Sequence, residues 1–468
     1  MKKVDVIICG AGPAGLACAL ELVKKGKTVI VFEKDSQVGG ISKTVKFKNN
    51  YFDIGGHRFF TKSEKVNQLW KNTLGEDFLS RPRLSRIYYR NKFFDYPVRI
   101  LNAIFGLGLF TSFGIVFSYI RAKISPFKKE DNFEQWVSNR FGRKLFQIFF
   151  KTYTEKLWGI PCDQIQAEWA VQRIKGLSLF SAIKNAFWKS RNKKIKTLID
   201  EFNYPKFGPG MMYEKIESEI CSLGGVVLKE TKVVCIKHAN RKIIGIVVTG
   251  KGGIEREFES ENFISSMPIT ELVKQLKPSI KPDVLDAADN LHFRSFITVS
   301  VILNSDVSFR DNWIYVHSPE VKVGRVQNFK QWSPYMVSNK EWTNLGLEYF
   351  CSENDELWRM KDEDLIKLAL SELEKIGLGK KKDFVDGFVH RAPKTYPVYD
   401  FNYKKNLSTI KDFIGNFGNL QLIGRGGMFK YNNMDHSILT GMLAAENVLG
   451  AKHDTWKVNA DDDYQESG

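Results

Sequence analysis

The alternation of apolar and polar residues at the start of the chain predicts a strand, a helix and a second strand. Residues 4–9 form an apolar run of the kind found in buried strands. Apolar residues then recur at helical spacing over residues 16–23, and Gly26 ends that helix. Residues 28–32 are a second run rich in β-branched residues. The chain therefore begins with a βαβ unit.

The pattern becomes helical after a short hairpin. Residues 86–94 predict two strands that turn at Arg90 and Asn91. Residues 98–195 are mostly helical in pattern, with few signals typical of strands.

Strand patterns return in the second half of the chain. Residues 206–268 predict a glycine turn, a helix and paired strands, and residues 290–350 alternate as in an antiparallel sheet. Residues 360–376 predict an amphipathic helix. We therefore expect an α/β fold in which a Rossmann-like domain carries a helical insert and an antiparallel β-sheet insert.

A glycine fingerprint in the βαβ unit indicates the ligand of this domain. Gly10, Gly12 and Gly15 stand between the first strand and the helix in G-x-G-x-x-G spacing, and Glu33 ends the second strand. The glycines allow a pyrophosphate to approach the helix N-terminus, whose unpaired N–H groups favour anions. The acid can accept hydrogen bonds from a ribose. This combination predicts a dinucleotide-binding domain.

The next segment resembles FAD enzymes of the amine oxidase and glutathione-reductase-like class. EKDSQVGGISKT, residues 33–44, places Gly39 and Gly40 just after the second strand, like the second glycine pair of that class. The resemblance implies that DIGGH, residues 53–57, lies against the flavin ring.

The far end of the chain agrees with this resemblance. Residues 420–450 predict a strand that leads to Gly424 and Arg425, followed by a helix that opens at residues 433–436. N–H groups at that helix start would face the flavin. The resulting prediction is that FAD is the cofactor. The cofactor-binding residues expected on this basis are Gly10, Gly12, Gly15, Glu33, Gly39, Gly40, Gly56, His57, Val234, Gly424, Arg425, Asn433, Met434 and Asp435.

The predicted domains are discontinuous. The FAD-binding domain comprises residues 1–85, 206–268 and 418–452. Residues 95–200 form the helical insert, and residues 86–94 with 269–417 form the antiparallel sheet substrate domain. The acidic tail, residues 454–468, is predicted to be disordered.

The composition of the chain indicates which kinds of partner it can bind. The 468 residues carry a formal net charge of +17, which is compatible with a lysine-rich surface, an anionic membrane or phosphorylated substrates. No nucleic-acid-binding signature accompanies this charge, so we predict no nucleic-acid partner. The six cysteines are scattered, which predicts neither a disulfide framework nor a metal site and suits a cytoplasmic location. The oligomeric state is left open, a homodimer being one alternative.

An uncharged stretch at residues 100–120 allows three interpretations. It is long enough to cross a membrane, but its glycines and polar residues argue against a span. Thr111 or Ser112 could cap a second helix, which favours a buried helical pair. The third interpretation is a peripheral patch at the inner face of a membrane, because basic residues flank the run.

The chain also resembles UDP-galactopyranose mutases, flavoenzymes that interconvert pyranose and furanose forms of a nucleotide sugar. The matching residues are the run YTEKLWG at 153–159, His57 in GGHRFF, Arg173 in AVQRIKG, Arg325 in VGRVQNF, the pair Tyr396-Pro397, and Arg425, Tyr431, Asn433, Met434 and Asp435 near the end. The resemblance is weak but spans nearly the whole chain. Protoporphyrinogen oxidase and other amine-oxidase-like proteins share this architecture.

This resemblance implies a reaction and a set of residues for it. FAD would be active when reduced, its N5 attacking the anomeric carbon of a sugar diphosphate conjugate such as a nucleotide sugar. The implied catalytic residues are His57, Arg173, Arg325 and Tyr431. The implied substrate-binding residues are Tyr153, Trp158, Arg173, Arg294, Arg325, Tyr396 and Tyr431. Guanidinium groups suit a departing diphosphate because they bind phosphate through paired hydrogen bonds.

One departure from the mutases keeps alternatives open. After the hairpin, YPVRIL at residues 96–101 replaces the polar residues that face the sugar in that family. The carrier of the diphosphate is therefore undecided, a lipid-linked sugar being one alternative. The second function considered is an FAD-dependent oxidase or desaturase of an apolar, membrane-derived substrate.

Overall fold

The computed structural model describes residues 4–96, 102, 106–168, 201–306 and 309–459. Its strands are β1 (Val4–Cys9), β2 (Val29–Phe32), β3 (Thr44–Phe47), β4 (Asn50–Asp53), β5 (Phe78–Pro82), β6 (Ser85–Tyr89), β7 (Lys92–Asp95), β8 (Glu201–Pro205), β9 (Val226–Leu228), β10 (Lys232–Ala239), β11 (Lys242–Thr249), β12 (Glu255–Phe258), β13 (Ser260–Ser265), β14 (Leu276–Lys277), β15 (Phe293–Leu303), β16 (Trp313–Val316), β17 (Arg325–Asn328), β18 (Thr343–Cys351), β19 (Phe384–Pro397) and β20 (Leu420–Leu422).

The helices follow the predicted order. They are α1 (Pro13–Val23), α2 (Glu64–Leu74), α3 (Leu109–Ile124), α4 (Phe133–Phe141), α5 (Arg143–Phe146), α6 (Thr152–Trp158), α7 (Gly210–Ser222), α8 (Ile269–Gln275), α9 (Pro282–Asp289), α10 (Phe329–Trp332), α11 (Glu356–Arg359), α12 (Asp362–Lys375), α13 (Tyr403–Ile414), α14 (Gly424–Gly427) and α15 (Met434–Val448). A π-helical segment, Gln147–Lys151, joins α5 to α6.

A parallel sheet forms the base of the molecule. Its strands lie in the order β20, β13, β1, β2, β9. Successive residues of a strand point to opposite faces, and from Val6 to Cys9 of β1 both sets are apolar. Val6 and Ile8 pack with α1, α7 and α15, whereas Ile7 and Cys9 pack with β10 and β11 on the other face. A sheet buried on both faces explains the continuous apolar run at the start of the sequence.

A seven-stranded sheet stands beside the parallel one. Its order is β19, β15, β18, β17, β16, β6, β7, and neighbouring strands are antiparallel except for β16 and β6. The hairpin of β6 and β7 turns at Arg90 and Asn91, both with positive φ, as predicted. α12 packs against one face of this sheet, and the other face contributes Phe296 and Phe350 to a core shared with α4 and α6. The predicted α/β class, with parallel and antiparallel sheets, is confirmed.

The packing crosses one predicted domain limit. Residues 269–417 are predicted to belong with the antiparallel sheet. However, α8, α9 and α13 contribute Leu272, Val284 and Ile410 to the core beside the parallel sheet. The domain division itself stays a prediction.

The predicted disordered tail begins with an ordered turn. Thr455–Lys457 form a short 3-10 helix, and Thr455 is buried. Lys430 Nζ donates to the carbonyl oxygens of Trp456 and Val458, at 3.0 and 2.6 Å. Residues 460–468 lie outside the described residues.

The apolar run at residues 100–120 leads into a helix that is exposed. α3 begins after Gly108, whose φ is +83°, and does not begin at Thr111 or Ser112. Among the residues of α3, only Ile115 is buried. Its exposed apolar residues are Leu109, Phe110, Phe113, Val116, Phe117, Ile120 and Ile124. The expectation of a buried helical pair is therefore wrong for α3. In the part of the chain that the structure describes, no helix is both long and apolar enough to cross a membrane.

Candidate active site

A cavity of about 1890 Å³ connects the two sheets. It is lined by the loop after β1, the end of β2, residues of β17 and the inner side of α3. Small-ligand sites usually occupy about 300–1,000 Å³. The cavity therefore has room for a dinucleotide and a second molecule.

The glycine fingerprint forms one end of this cavity. Gly10 has a φ of +103°, and a Cβ added at Gly15 would lie 1.9 Å from the carbonyl oxygen of Gly10. α1 starts at Pro13, and the N-cap Gly12 offers no side chain to its first N–H groups. These N–H groups face the space where a pyrophosphate would bind, so the local geometry fits the predicted dinucleotide.

Glu33 is held in place beside the fingerprint. Its buried carboxylate accepts hydrogen bonds from the backbone N–H of Ala11, at 2.8 Å, and of Asp35, at 2.9 Å. The second glycine pair is tied to the same loop, because Gly39 N donates to the Ala11 carbonyl oxygen at 2.8 Å. Gly40 lines the cavity beside them. The acid and both glycine segments thus meet at the predicted ribose and pyrophosphate position.

A second helix N-terminus reaches the same cavity. α15 starts with a capping box in which Asn433 N donates to His436 Nδ1 at 3.2 Å. The helix packs tightly against α1, since a Cβ added at Gly441 would lie 2.1 Å from the Ala14 carbonyl oxygen. The cavity residues from this region are Gly424, Arg425, Asn433, Met434 and Asp435. Two helix N-termini therefore converge on one ligand space.

His57 lines the cavity beside two glycines. Gly55 has a φ of +85°, and a Cβ added at Gly56 would lie 2.7 Å from Gln327 Nε2. The glycines therefore allow the loop to approach β17 closely. Burial lowers the pKa of His57 to about 3, with smaller contributions from the charges of Arg425 and Arg325. The imidazole is consequently neutral at physiological pH, and its buried Nδ1 has no hydrogen-bond partner among the described residues.

Arg325 faces the cavity from β17, paired with an acid. Its Nε donates to both carboxylate oxygens of Glu348, each at 3.0 Å, and its Nη2 also donates to Oε2. Gln327 Nε2 donates to the same carboxylate at 2.7 Å. The Glu348 side chain is fully buried. Nη1 of Arg325 makes no hydrogen bond within the described residues and is available to a ligand.

Aromatic rings form the wall next to Arg325. Tyr153 stacks on His317, with ring centroids 4.9 Å apart, and meets Tyr315 edge-on. Tyr396 stacks on Tyr431 at 5.7 Å, and the Arg425 guanidinium lies 4.7 Å from the Tyr431 ring. Burial raises the pKa of Tyr153 and of Tyr396, so both keep their hydroxyl protons. They are fixed hydrogen-bond donors.

We expect His317 to make the protein sensitive to acid. Burial, together with the charge of Lys156, lowers the pKa of His317 to about 3. The unfolded chain binds this proton below about pH 6.5, whereas the native state does not, so stability is lost as pH falls from 6.5 towards 3. His317→Phe removes this titration. The free energy of unfolding of His317→Phe, relative to that of wild type, should therefore increase by about 1.4 kcal/mol for each unit by which the pH falls from about 6 to about 4. Urea unfolding at several pH values measures this, and parallel pH profiles would contradict it.

Comparison with known families decides the class of this protein. The model of the flavin-containing amine oxidoreductases matches residues 13–449. The chain belongs to this family. Its cofactor is a flavin, and the predicted FAD is confirmed, in agreement with the glycine cradle and the two helix N-termini described above.

Solved flavoenzymes share the fold over nearly the whole chain. A crystal structure of reduced UDP-galactopyranose mutase is 21% identical to this chain and has a TM-score of 0.84. The alignment covers 98% of each chain. A putrescine oxidase bound to putrescine is 16% identical with a TM-score of 0.61, over 96% of this chain and 100% of the other. At these identities the similarity concerns the fold, and the expected mutase-like, amine-oxidase-like architecture is confirmed.

Two relatives in sequence have different reactions. A 15-cis-phytoene desaturase of Synechococcus elongatus is 23% identical over 95% of both chains. A Klebsiella pneumoniae protein named as a probable UDP-galactopyranose mutase is 25% identical over 36% of this chain and 44% of its own length. The family membership therefore leaves both a mutase and an oxidoreductase reaction open.

Two predicted substrate residues lie in the protein core of this flavoprotein. Trp158 is buried behind the cavity wall, stacked on Tyr399 at 6.3 Å. Arg294 points away, donating to Ser352 Oγ at 2.6 Å and to the Phe350 carbonyl oxygen at 3.1 Å. Trp158 therefore packs in the core. Arg294 has a structural role, because its guanidinium binds residues at the C-terminal end of β18.

Two further predicted residues need comment. Val234 is the extra residue of a β-bulge in β10, and its neighbour Val233 lines the cavity instead. The bulge shifts the strand alternation by one residue, which sequence periodicity could not reveal. Arg173 lies outside the described residues.

Three residues of the site, Glu348, Gln327 and His317, were not predicted from the sequence. A signal existed for Glu348, since it is an acid in a strand whose nine residues are all buried. A buried carboxylate requires a cationic or hydrogen-bonding partner. The pattern could have predicted that a partner exists, but not that it is Arg325.

Proposed function

We propose that this flavoprotein is a mutase that interconverts the pyranose and furanose forms of a nucleotide- or other diphosphate-linked sugar. The observation that carries the proposal is the pair Arg325 and Arg425, both lining the cavity and both acting electrostatically on His57. Two guanidinium groups near the cofactor end of a cavity suit a diphosphate. They have no evident use for an uncharged amine or hydrocarbon.

Each side chain of the site has a separate role in the proposed reaction. When bound and reduced, FAD supplies the nucleophile for the anomeric carbon. Nη1 of Arg325 and the Arg425 guanidinium hold the diphosphate before and after it leaves the sugar. The hydroxyls of Tyr396, Tyr431 and Tyr153 donate hydrogen bonds at the same end. Neutral His57 adds no charge and orients groups through its Nδ1.

The pairing of Arg325 with Glu348 refines this role. The carboxylate offsets the charge of the guanidinium, so the site does not hold a strong excess of positive charge. It also fixes the plane of the guanidinium through Nε and Nη2. Nη1 then points in one direction only. Arg325 therefore contributes orientation, and Arg425 supplies the less compensated charge.

A second candidate, an FAD-dependent desaturase or oxidase, is favoured by a different observation. The part of the cavity wall beside α3 is apolar, and the desaturase of Synechococcus elongatus matches nearly the whole chain. An apolar substrate would leave Nη1 of Arg325 and the Arg425 guanidinium without an anionic group to bind. We therefore rank this reaction second.

The two reactions differ in their redox balance. For the mutase we expect turnover only with dithionite-reduced enzyme under anaerobic conditions, and a product of the same mass as the substrate. Chromatography with mass spectrometry measures this on UDP-, dTDP- and GDP-sugars and on a polyprenyl-diphosphate sugar. Oxygen-dependent loss of two hydrogens from an apolar substrate would support the desaturase instead.

A further inference from the structure

The exposed face of α3 takes no part in the proposed mutase reaction. Seven apolar residues project from it, and five of them are more than 60% exposed: Leu109, Phe110, Phe113, Phe117 and Ile124. Their spacing of three and four residues places them on one side of the helix. A contiguous apolar patch of this kind marks an interaction surface.

The charge around α3 identifies the partner chemistry. Between Asp95 and Glu130 the sequence has no acidic residue, but it has Arg99, Arg121, Lys123, Lys128 and Lys129. Lys128 and Lys129 are exposed directly after the helix. An apolar helix face bordered by cations is the arrangement that lies on an anionic lipid surface.

The same helix forms the mouth of the cavity. Ser112 and Ile115 line the cavity from its inner side, and Val116 both lines the cavity and is 48% exposed. From there an apolar wall leads inwards to Tyr153. Its residues are Leu107, Ile115, Val116, Phe141, Leu145, Phe149 and Phe150. This wall suits an aliphatic chain better than a polar nucleoside.

We propose that the exposed face of α3 docks on an anionic lipid bilayer, and that the cavity takes from this bilayer a sugar diphosphate carried on a lipid. The diphosphate part rests on the proposed function, whereas the docking part rests on α3 alone. The lipid chain lies along the apolar wall, and its diphosphate reaches Arg325 and Arg425.

Vesicle flotation tests the docking. Wild type should float with phosphatidylcholine vesicles that contain phosphatidylglycerol, and about tenfold less protein should float with phosphatidylcholine alone. Phe110→Ser/Phe113→Ser/Phe117→Ser and Lys128→Glu/Lys129→Glu should each reduce flotation about tenfold. Leu223→Ser/Ile244→Ser/Ile254→Ser removes three other exposed apolar residues, which lie outside α3, and should float like wild type. Flavin absorbance checks that each variant is folded.

Two results would overturn the docking. One is wild type that stays at the bottom of the gradient with anionic vesicles. The other is a wild-type dimer in light scattering that does not float and that the phenylalanine triple variant converts to monomer, because α3 would then cover a second copy of the chain.

A binding experiment tests the substrate class separately. Farnesyl diphosphate, as a short lipid diphosphate, should raise the thermal midpoint of the FAD-bound protein more than UDP does, and Val116→Asp should cancel that difference. A larger shift with UDP would overturn the lipid carrier. Failure of the mutase function has a different signature, since no sugar diphosphate would then be isomerised although flotation and farnesyl diphosphate binding persist.

Discussion

Gly15→Ala is expected to yield a protein that no longer retains FAD and is strongly destabilised. The new methyl group would lie 1.9 Å from the carbonyl oxygen of Gly10, 3.1 Å from its carbon and 3.3 Å from Ile8 Cγ2. Two of these atoms belong to the backbone, so relief requires α1 to move away from β1. Overpacking typically costs about 1–3 kcal/mol, and a contact this short with the backbone places the cost at the upper end of that range. The displaced helix N-terminus also no longer faces the pyrophosphate.

Gly418→Ala is the matched control for this substitution. No heavy atom lies within 4 Å of a Cβ at Gly418, and its φ is outside the left-handed region. We expect its stability to remain within about 0.5 kcal/mol of wild type. Flavin absorbance after gel filtration and urea unfolding measure both variants. Full FAD occupancy in Gly15→Ala would contradict the proposed cradle.

Arg325→Ala is expected to slow turnover by about 10- to 100-fold while FAD stays bound. The substitution removes a charge-assisted hydrogen bond to the diphosphate, worth about 1.5–3 kcal/mol. This corresponds to a loss of about 10- to 100-fold in rate. It also leaves the buried Glu348 carboxylate without its cation, which costs about 3–5 kcal/mol of stability. The experiment must therefore separate a catalytic loss from a folding defect.

Arg86 is a matched control for Arg325, because it also pairs with a buried carboxylate. Its Nε and Nη2 donate to the two carboxylate oxygens of Asp311, at 2.9 and 2.6 Å, and Asp311 is fully buried. Arg86→Ala should lose stability like Arg325→Ala but keep turnover, because Arg86 lies outside the cavity lining. The double variant Arg325→Met/Glu348→Gln should regain stability without turnover.

Lysine tests the geometry at the same position. Arg325→Lys retains a charge but not the planar fork, so we expect partial recovery of the rate. Anaerobic turnover of the reduced enzyme, with urea unfolding of each variant, gives both quantities. If Arg325→Ala turns over like Arg86→Ala with FAD bound, Arg325 does not hold the diphosphate. The same loss of turnover is predicted for Arg173→Ala.

Local patterns predicted the parts of this fold whose structure depends on neighbouring residues. The fingerprint from Gly10 to Glu33, the hairpin turn at Arg90 and Asn91, and the helix start at Asn433 each depend on residues close in sequence. Glycine spacing, turn residues and capping residues indicate such local geometry directly.

The remaining site depends on residues that are distant in sequence. The pairing of Arg325 with Glu348 follows from the register of β17 and β18, and the stacking of Tyr153 on His317 joins a helix to a sheet. Arg294 matched a family arginine, but its direction depends on Phe350 and Ser352. The apolar face of α3 is evident from its periodicity, but an apolar face is ordinarily packed against the protein, so the pattern could not reveal that this one is exposed.

The contact between Gly441 and Ala14 has a consequence for biosynthesis. α1 is among the first elements to leave the ribosome, whereas α15, which completes the pyrophosphate and flavin end of the cavity, is made hundreds of residues later. Closing so long a loop is slow, because contacts between distant residues form late. A nascent chain therefore cannot acquire its cofactor step by step during translation. The complete flavin site therefore forms only after α15 has been synthesised, when nearly the whole chain is available.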